Sequence, residues 1–348
     1  MKIIEIIPGK VWGGAEQYIL DLGRALTERG HEVEYLCRQA EAVTRRLDAE
    51  HIPYRLLDSS LRVDVEGADA VHIHDSKFVK PTVKSVSACK NAPRVVLTRH
   101  IARGSRVMPW NRRYWRSLHR VVFVSDIARN LWRERNLWMP LQKCTVIHNS
   151  IPETMATTDI PDLRKKFSIG TDTPLLMLTG RIRRSKGCET LIKALGMVKD
   201  LPWAMVFVGA TKPADYRERL MKLATAEGIA DRIFFTGFTS NARSLVSQAD
   251  IGVQPSIVRE AFGLSILEFM QAGKPVITTD NGGQREFVND GSDGFLIAPD
   301  NVEALMEALR KLLRDRQLRE KMGKHGQMCY TDILGYDTFV NNITEVFR

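Results

Sequence analysis

The sequence predicts an α/β protein built from two doubly wound, Rossmann-like domains. Three observations carry that reading. Apolar strand-like runs alternate with helix-period segments through both halves of the chain. Several of those runs end in glycine-rich or charged loops, where open parallel sheets bind ligands. At 348 residues and 44% hydrophobic content, the chain can bury two cores of ordinary size.

The first half opens with KIIEII at 2–7, then the turn PGKVWGGAE. A helix is expected over 15–29, with Tyr18, Leu22, Ala25 and Leu26 on one face. Gly30 closes it and HEVEYLC starts a second strand. This unit opens like a dinucleotide-binding fold, but it is not GxGxxG. DAVHIHD, RVVLTRH, VVFVS and KCTVIHNS read as further strands, with helices over 78–90, 111–118 and 126–136. From 152 to 173 the periodicity fades, and Pro152, Thr157, Thr158, Pro161 and Gly170 suit a connector. Alternation resumes with PLLMLTG, WAMVFVG and RIFFTG as strands and helices over 188–199 and 216–227. The stretch 250–279 reads as strand, polar loop, helix, strand; GFLIAP and a helix from Val302 follow. A last amphipathic helix carries Phe339, Ile343, Val346 and Phe347. The expected divisions are 1–152, a connector over 153–173, 174–328, and a terminal helix over 329–348.

Charge is unevenly placed. Residues 1–150 hold 25 Lys+Arg against 16 Asp+Glu, or +9, and the remainder holds 26 against 25, or +1, out of +10 in all. A basic first half suits an anionic partner: nucleic acid, anionic lipid or a phosphorylated acceptor. No run of about 18 apolar residues is present, so no membrane-spanning helix is expected. The N-terminus reads as a first strand, not a signal peptide. Five scattered cysteines without a CxxC pair argue against a zinc or disulfide framework and fit a reducing cytoplasm.

Several motifs bear on chemistry. In DIGVQPSIVREAFGLSILEFMQAGKPVITT, Glu260 precedes a helix N-terminus and Glu268 lies about two turns inside it. Free N–H groups at a helix start attract phosphate, and a carboxylate beside them accepts hydrogen bonds from sugar hydroxyls. GRIRRSKG at 180–187 places basic residues at a strand end, where Arg grips phosphate with two bonds and Lys acts as a point charge. A solvated basic loop is an equally good account of that motif alone. Gly13 and Gly14 would let a ligand approach the backbone, or simply make a tight turn. His72, His74 and Asp75 suggest metal ligation, with His72 and His74 on one face, but one strand supplies two ligands and no third is evident. His100 ends another strand and is placed to hydrogen-bond a sugar hydroxyl or a phosphate. Ten arginines lie between Arg99 and Arg135; Arg112, Arg116 and Arg120 recur every fourth residue, with Arg113 beside them. That pattern suits an interfacial helix on anionic lipid, or a solvated face over a buried stripe. No nucleic-acid motif accompanies the charge.

Together these motifs resemble the family-four glycosyltransferases of GT-B architecture. Glu260 and Glu268 form an E-x7-E pair, GRIRRSKG resembles the G-R-x-x-x-x-K-G diphosphate loop, and GGAE resembles the N-terminal glycine loop. VVFVSDIARN and VIHNSIP resemble strand-end segments of the family, the latter departing from the commoner N-G at Asn149-Ser150. The resemblance spans essentially the whole chain. It implies two Rossmann-like domains facing a cleft and a C-terminal helix crossing back to the first. It implies a retaining transfer from a nucleotide-diphosphate sugar, with no metal and no bound cofactor, and a UDP-sugar as first expectation. Arg181 and Lys186 would neutralise the diphosphate, Glu268 would hold the ribose, and Glu260 the donor sugar. Backbone N–H groups of Phe262, Gly263 and Leu264 would meet sugar and phosphate, Phe238 and Thr239 would flank the base, and Gly13 and Gly14 would line the phosphate side. His100 matches the family's histidine near the reacting sugar. The expected acceptor is a glycan or lipid-linked glycan of lipopolysaccharide core, O-antigen or capsule synthesis, handled at the inner face of the membrane. A non-catalytic binder on the same fold, or a sugar-nucleotide epimerase or phosphorylase, stays open as an alternative.

Overall fold

A computed structural model describes residues 1–57, 63–153, 160–239 and 242–348. Two compact units are present: Met1–Ile151 with Tyr336–Arg348, and Pro152–Gly335.

The first unit contains β1 (Lys2–Ile7), α1 (Gly14–Glu28), β2 (Glu32–Cys37), α2 (Glu41–Ala49), β3 (Tyr54–Leu56), β4 (Ala70–Ile73), α3 (Val79–Val86), β5 (Arg94–Arg99), α4 (Arg112–Arg116), β6 (Arg120–Phe123), α5 (Asp126–Arg133) and β7 (Cys144–Val146). Its seven strands run in the order β3-β2-β1-β4-β5-β6-β7, every neighbouring pair parallel. The apolar runs are strands because both faces are covered. Ile3, Ile4, Ile6, Ile7, Val71, Ile73, Val96 and Leu97 are fully buried, which explains continuous rather than alternating apolar sequence.

The second unit contains α6 (Leu163–Lys166), β8 (Leu175–Thr179), α7 (Cys188–Gly196), β9 (Ala204–Val208), α8 (Tyr216–Ala226), β10 (Ile233–Gly237), α9 (Ala242–Leu245), β11 (Ile251–Gln254), α10 (Leu264–Gln271), β12 (Val276–Thr279), β13 (Gly294–Ile297), α11 (Val302–Arg314) and α12 (Arg316–Leu334). Its sheet, also parallel, runs β10-β9-β8-β11-β12-β13. The core between sheet and helices includes Leu176, Leu178, Leu191, Phe207, Leu220, Ile251, Ile277 and Leu309.

The final helix, α13 (Tyr336–Phe347), belongs to the first unit. Arg29 pairs with Asp337, Arg94 Nη1 donates to Phe347 O (3.1 Å), and Phe339 packs edge-on against Tyr18. The terminal helix expected from residue 329 therefore starts later. Residues 329–334 continue α12, and a break at Gly335 lets Tyr336 open a new helix. Helix α12 itself, α2 and β3 were not expected from the sequence, because their apolar positions are sparse. The connector expected over 153–173 contains α6 where it is described; Thr157 and Thr158 lie outside the described residues. Arg164 Nη2 bonds Asp250 (2.8 Å), tying α6 to the start of β11.

Candidate functional site

In each sheet the strand order reverses once: between β1 and β4 in the first, between β8 and β11 in the second. Loops leaving the carboxyl ends of two such strands diverge and open a crevice. In the second unit those loops are GRIRRSKG and PSIVREAFG, so the two motifs singled out in sequence share one crevice.

The loops are clasped together. Ile257 N–H donates to Ser185 O (3.0 Å). Gly187 has φ +70, and a Cβ there would lie 1.9 Å from Pro255 O, so the close approach and the left-handed backbone both require glycine. Within the clasp, Lys186 Nζ donates to Glu260 Oε1 at 2.7 Å, and Ser256 Oγ donates to the same oxygen. Burial pushes the Glu260 carboxyl up, but the Lys186 charge and the hydrogen bonds from Lys186 and Ser256 hold it below its usual value. It is therefore an anion whose Oε2 has no partner among the described residues. Arg181 is exposed on the same loop and makes no ion pair among the described residues.

Helix α10 starts beside this pair. Gly263 caps it at φ +110, and no side chain caps its N–H groups. The turn after β12 braces the approach: Gly283 N–H donates to Glu260 O (3.0 Å), Asn281 Nδ2 to Ile257 O (3.0 Å), and Arg259 Nε to Asn281 O (2.8 Å). A Cβ on Gly282 would lie 2.4 Å from Glu260 O. This Asn281-Gly282-Gly283 turn was missed in sequence, although a glycine pair directly after a strand was the available signal. Phe262 is buried against Phe287, so its ring faces the core rather than a ligand. Glu268 on α10 faces Arg243 of α9 at 3.5 Å, an arginine with no sequence motif to mark it. Phe238 is 70% exposed after β10 and Thr239 is half-buried; Ser240 and Asn241 of that loop lie outside the described residues.

In the first unit, Gly13 and Gly14 open α1, which has no side-chain cap. Gly13 is extended (φ −164), so its backbone does not itself demand glycine. Lys77 Nζ reaches Pro8 O (3.2 Å) and closes the loop after β4 onto the loop after β1. His72 and His74 do share a face, but their third partner is Glu5 on β1, not Asp75. Register places Glu5 directly beside His72. Asp75 instead caps the following turn through Lys77 N–H (2.9 Å) and pairs with the Lys77 ammonium. A carboxylate inside the apolar run KIIEII was the signal for Glu5.

Among the described residues, Glu5, His72 and His74 place a carboxylate and two imidazoles within metal-ligating distance, as do Asp293, His325 and Cys329 in the second unit. Both sets are occupied by hydrogen bonds among their own members. Burial lowers the His74 pKa to about 4, and the His72 and His74 contacts hold Glu5 at about 2 against the opposing effect of burial. Both groups make the first unit acid-labile. Below its ordinary 6.5, His74 in the unfolded chain takes up a proton that the folded state refuses down to about 4. Glu5 stability is full above 4.5 and is lost as pH falls toward about 2. A melting temperature lower by about 5 °C at pH 4.5 than at pH 7 is expected, since 1 kcal/mol moves a domain of this size by about 2–4 °C. A flat profile by circular dichroism would contradict it.

The arginine-rich segment is not one helical face. Helix α4 covers five residues, and Arg120 starts β6 instead, where its Nη1 donates to His119 O. Lys143 Nζ closes the helix on Arg116 O and Leu118 O (both 2.7 Å), and the β-branched run behind it favours a strand. Arg112 and Arg116 lie over Trp138 at 5.3 and 5.7 Å, and Arg99 is buried between Trp115 and Trp132. Arg113 and Arg116 are the exposed members. No helix among the described residues is long and apolar enough to cross a membrane.

Known proteins share this architecture. The family model described as Glycosyltransferase Family 4 matches residues 12–154, and that described as Glycosyl transferases group 1 matches 159–328. The lipopolysaccharide core biosynthesis glycosyltransferase LpsE of Rhizobium meliloti (strain 1021) is 25% identical over 345 residues, 94% of this chain and 93% of that protein. Among solved structures, Anabaena HepE in complex with UDP and glucose aligns with a TM-score of 0.84 at 22% identity, over 99% of this chain and 98% of that one. A glycosyltransferase from Rickettsia africae ESF-5 aligns at 0.87 with 20% identity, over 99% and 97%. The two family models cover nearly all of both units and the fold agrees over the whole length: the chain belongs to the glycosyltransferases of GT-B fold, with a family 4 first half and a group 1 second half.

Proposed function

We propose that the protein is a retaining, metal-independent hexosyltransferase. Its donor is a nucleoside-diphosphate sugar, a UDP-sugar in the first instance. Its acceptor is a glycan or lipid-linked glycan of lipopolysaccharide core, O-antigen or capsule synthesis. The Lys186–Glu260 pair beside the uncapped start of α10 carries this reading, because it offers phosphate charge and a sugar acceptor oxygen side by side.

Each group then has a distinct task. Lys186, Arg181 and the N–H groups of Gly263 and Leu264 face the diphosphate, where negative charge grows as the glycosidic bond breaks. These fixed cations supply the positive charge that a divalent ion would otherwise bring. Glu260, ionised through Oε1, keeps Oε2 for hydroxyls of the donor sugar. Glu268, oriented by Arg243, accepts from the ribose hydroxyls, and exposed Phe238 stacks on the base with Thr239 at its edge. His100 accepts a hydrogen bond from a sugar hydroxyl, and Gly13 and Gly14 leave α1's N–H groups open to phosphate. The acceptor oxygen bonds the anomeric carbon on the face from which phosphate departs. The acceptor proton passes to the leaving phosphate oxygen, so no protein nucleophile is used.

HepE's complex with UDP and glucose supports the donor class, and LpsE's name supports the acceptor class. The +9 charge of residues 1–150 suits an anionic acceptor or membrane surface at the cytoplasmic face. Peripheral contact would use Arg113 and Arg116, with Arg112 and Arg120 behind them and Trp110 (66% exposed) nearby. Arg113→Glu with Trp110→Ser should lower retention on vesicles containing anionic phosphatidylglycerol, read by sedimentation; equal retention removes the membrane contact.

A thermal-shift screen against UDP, GDP, ADP and CMP tests the donor, followed by hydrolysis of the matching sugar nucleotides with and without EDTA. Stabilisation by a nucleoside diphosphate and EDTA-resistant release of sugar are expected. Failure to turn over any sugar nucleotide would favour a non-catalytic binder.

A further inference from the structure

Glu5, His72, His74 and His100 form one continuous hydrogen-bonded chain inside the first unit, and the proposed sugar contact uses only its last member. Glu5, His72 and His74 lie 0–6% exposed, and the cluster touches three adjacent strands, β1, β4 and β5. His72 Nδ1 lies 3.0 Å from Glu5 Oε1, and His74 Nε2 lies 2.7 Å from Glu5 Oε2. His72 Nε2 meets Thr98 Oγ1 at 2.7 Å, and His74 Nδ1 meets His100 Nε2 at 3.1 Å.

Hydrogen-bond valence decides which nitrogens hold protons. A carboxylate only accepts, so both imidazoles donate to Glu5, His72 through Nδ1 and His74 through Nε2. A neutral imidazole has one N–H. His74 Nδ1 must then accept from His100 Nε2–H. That leaves His100 Nδ1 bare. The rings cannot easily turn to escape this. Tyr18 packs edge-on against both His74 and His100, with centroids 5.8 and 4.7 Å away. Phe347 of α13 covers His72 at 5.1 Å. The planes of His74 and His100 are only 24° apart, which suits an in-plane N–H···N bond.

We infer that Glu5 and His74 are positioning residues that fix His100 as its Nε2–H tautomer, so that Nδ1 is presented as an acceptor for a substrate hydroxyl. The carboxylate in the core thus dictates, two hydrogen bonds away, the polarity of His100 at the ligand edge of the sheet. Without it, His100 could carry its proton on either nitrogen, and only one form accepts. Burial lowers the proton affinity of both His74 and His100, which keeps each ring neutral at pH 7.5 and the relay in one state. The catalytic consequence rests on the sugar role proposed for His100; the tautomer does not.

Long-range ¹H–¹⁵N spectra of the full chain with ring-¹⁵N histidine at pH 7.5 test the inference, with His100 assigned by its loss in His100→Asn. In the wild type, His100 should show a bare Nδ1 and a protonated Nε2. Glu5→Gln offers an amide donor to one imidazole, so His100 should shift to a mixture or to Nδ1–H. His74→Phe keeps the ring volume and removes the acceptor, and should also yield a mixture, which covers the case in which Glu5→Gln fails to fold. Thr98→Val should lower the melting temperature and leave the His100 tautomer unchanged, separating positioning from packing. Turnover of Glu5→Gln should fall at least about tenfold in kcat, with donor KM within about threefold, the pattern of a group acting mainly in the transition state. A wild-type His100 or His74 with both nitrogens protonated, a wild-type His100 with Nδ1–H, or an unchanged His100 tautomer in folded Glu5→Gln or His74→Phe would overturn the relay. Absence of any turnover with an intact tautomer pattern would count against the proposed function and leave the relay standing.

Discussion

Replacing Lys186 with alanine should lower kcat for sugar transfer by about 10²–10³-fold, the scale for removing one preorganised stabiliser of transition-state charge. Lys186 is the residue of GRIRRSKG that the fold carries into the crevice: its ammonium is 2.7 Å from Glu260, while Arg181 remains exposed. Removing it withdraws the cation from the departing diphosphate and also frees Glu260. Lowering of the Glu260 pKa depends on that lysine, so the carboxyl should titrate higher in the variant. The fold should survive, because Gly187 and the Ile257–Ser185 backbone bond hold the clasp without the side chain. Steady-state rates and a melting curve measured side by side decide the matter. Unchanged kcat in a folded variant would refute the diphosphate role, and a collapsed melting curve would recast Lys186 as structural.

Glu268→Gln should weaken binding of the nucleoside diphosphate by roughly thirtyfold, about 2 kcal/mol, the scale of a hydrogen bond to a charged acceptor. The side chain is half-buried on α10 and faces Arg243, which holds the carboxylate in one direction. A ribose diol donates to it; an amide accepts less strongly and turns a donor toward the same hydroxyls. Calorimetry with the diphosphate that gave the largest thermal shift, and with its 2′-deoxy form, separates this from a packing effect. Wild type should discriminate between the two ligands and the variant should not. Equal affinity of wild type and variant for the ribonucleotide would move the ribose contact elsewhere.

How much of this was legible in the sequence can be argued from particular residues. All the described strands but the exposed edge strand β3 were readable, because strands covered on both faces are uniformly apolar and end at glycine or polar residues. KIIEII and PLLMLTG left little ambiguity. Helix α12 was not readable: its sequence is rich in Arg, Lys, Gln and Gly, and its helical state follows from packing on α10, with Gly323 pressed against Gly273 O. The arginine segment misled for the opposite reason. A fourfold spacing of Arg112, Arg116 and Arg120 looks helical, but a lysine closing the helix and a β-branched run behind it end the turn after Arg116.

For the candidate site, sequence alone singled out the residues and the loops that carry them: Arg181, Lys186, Glu260, Glu268 and His100 each sit in a local pattern with a physical meaning. Strand–loop–helix periodicity also placed those loops at the ligand edge of a parallel sheet. The tertiary structure alone decided which of them meet. Lys186 and Glu260 are 74 residues apart, and Glu5 and His74 are 69 apart. Such pairs exist because the strand order reverses between β8 and β11 and places β1 beside β4. Local sequence cannot encode that adjacency, since it is settled by which parallel strands bury their faces together. The same adjacency turned Glu5 from an anomaly in an apolar strand into the anion that orders three histidines.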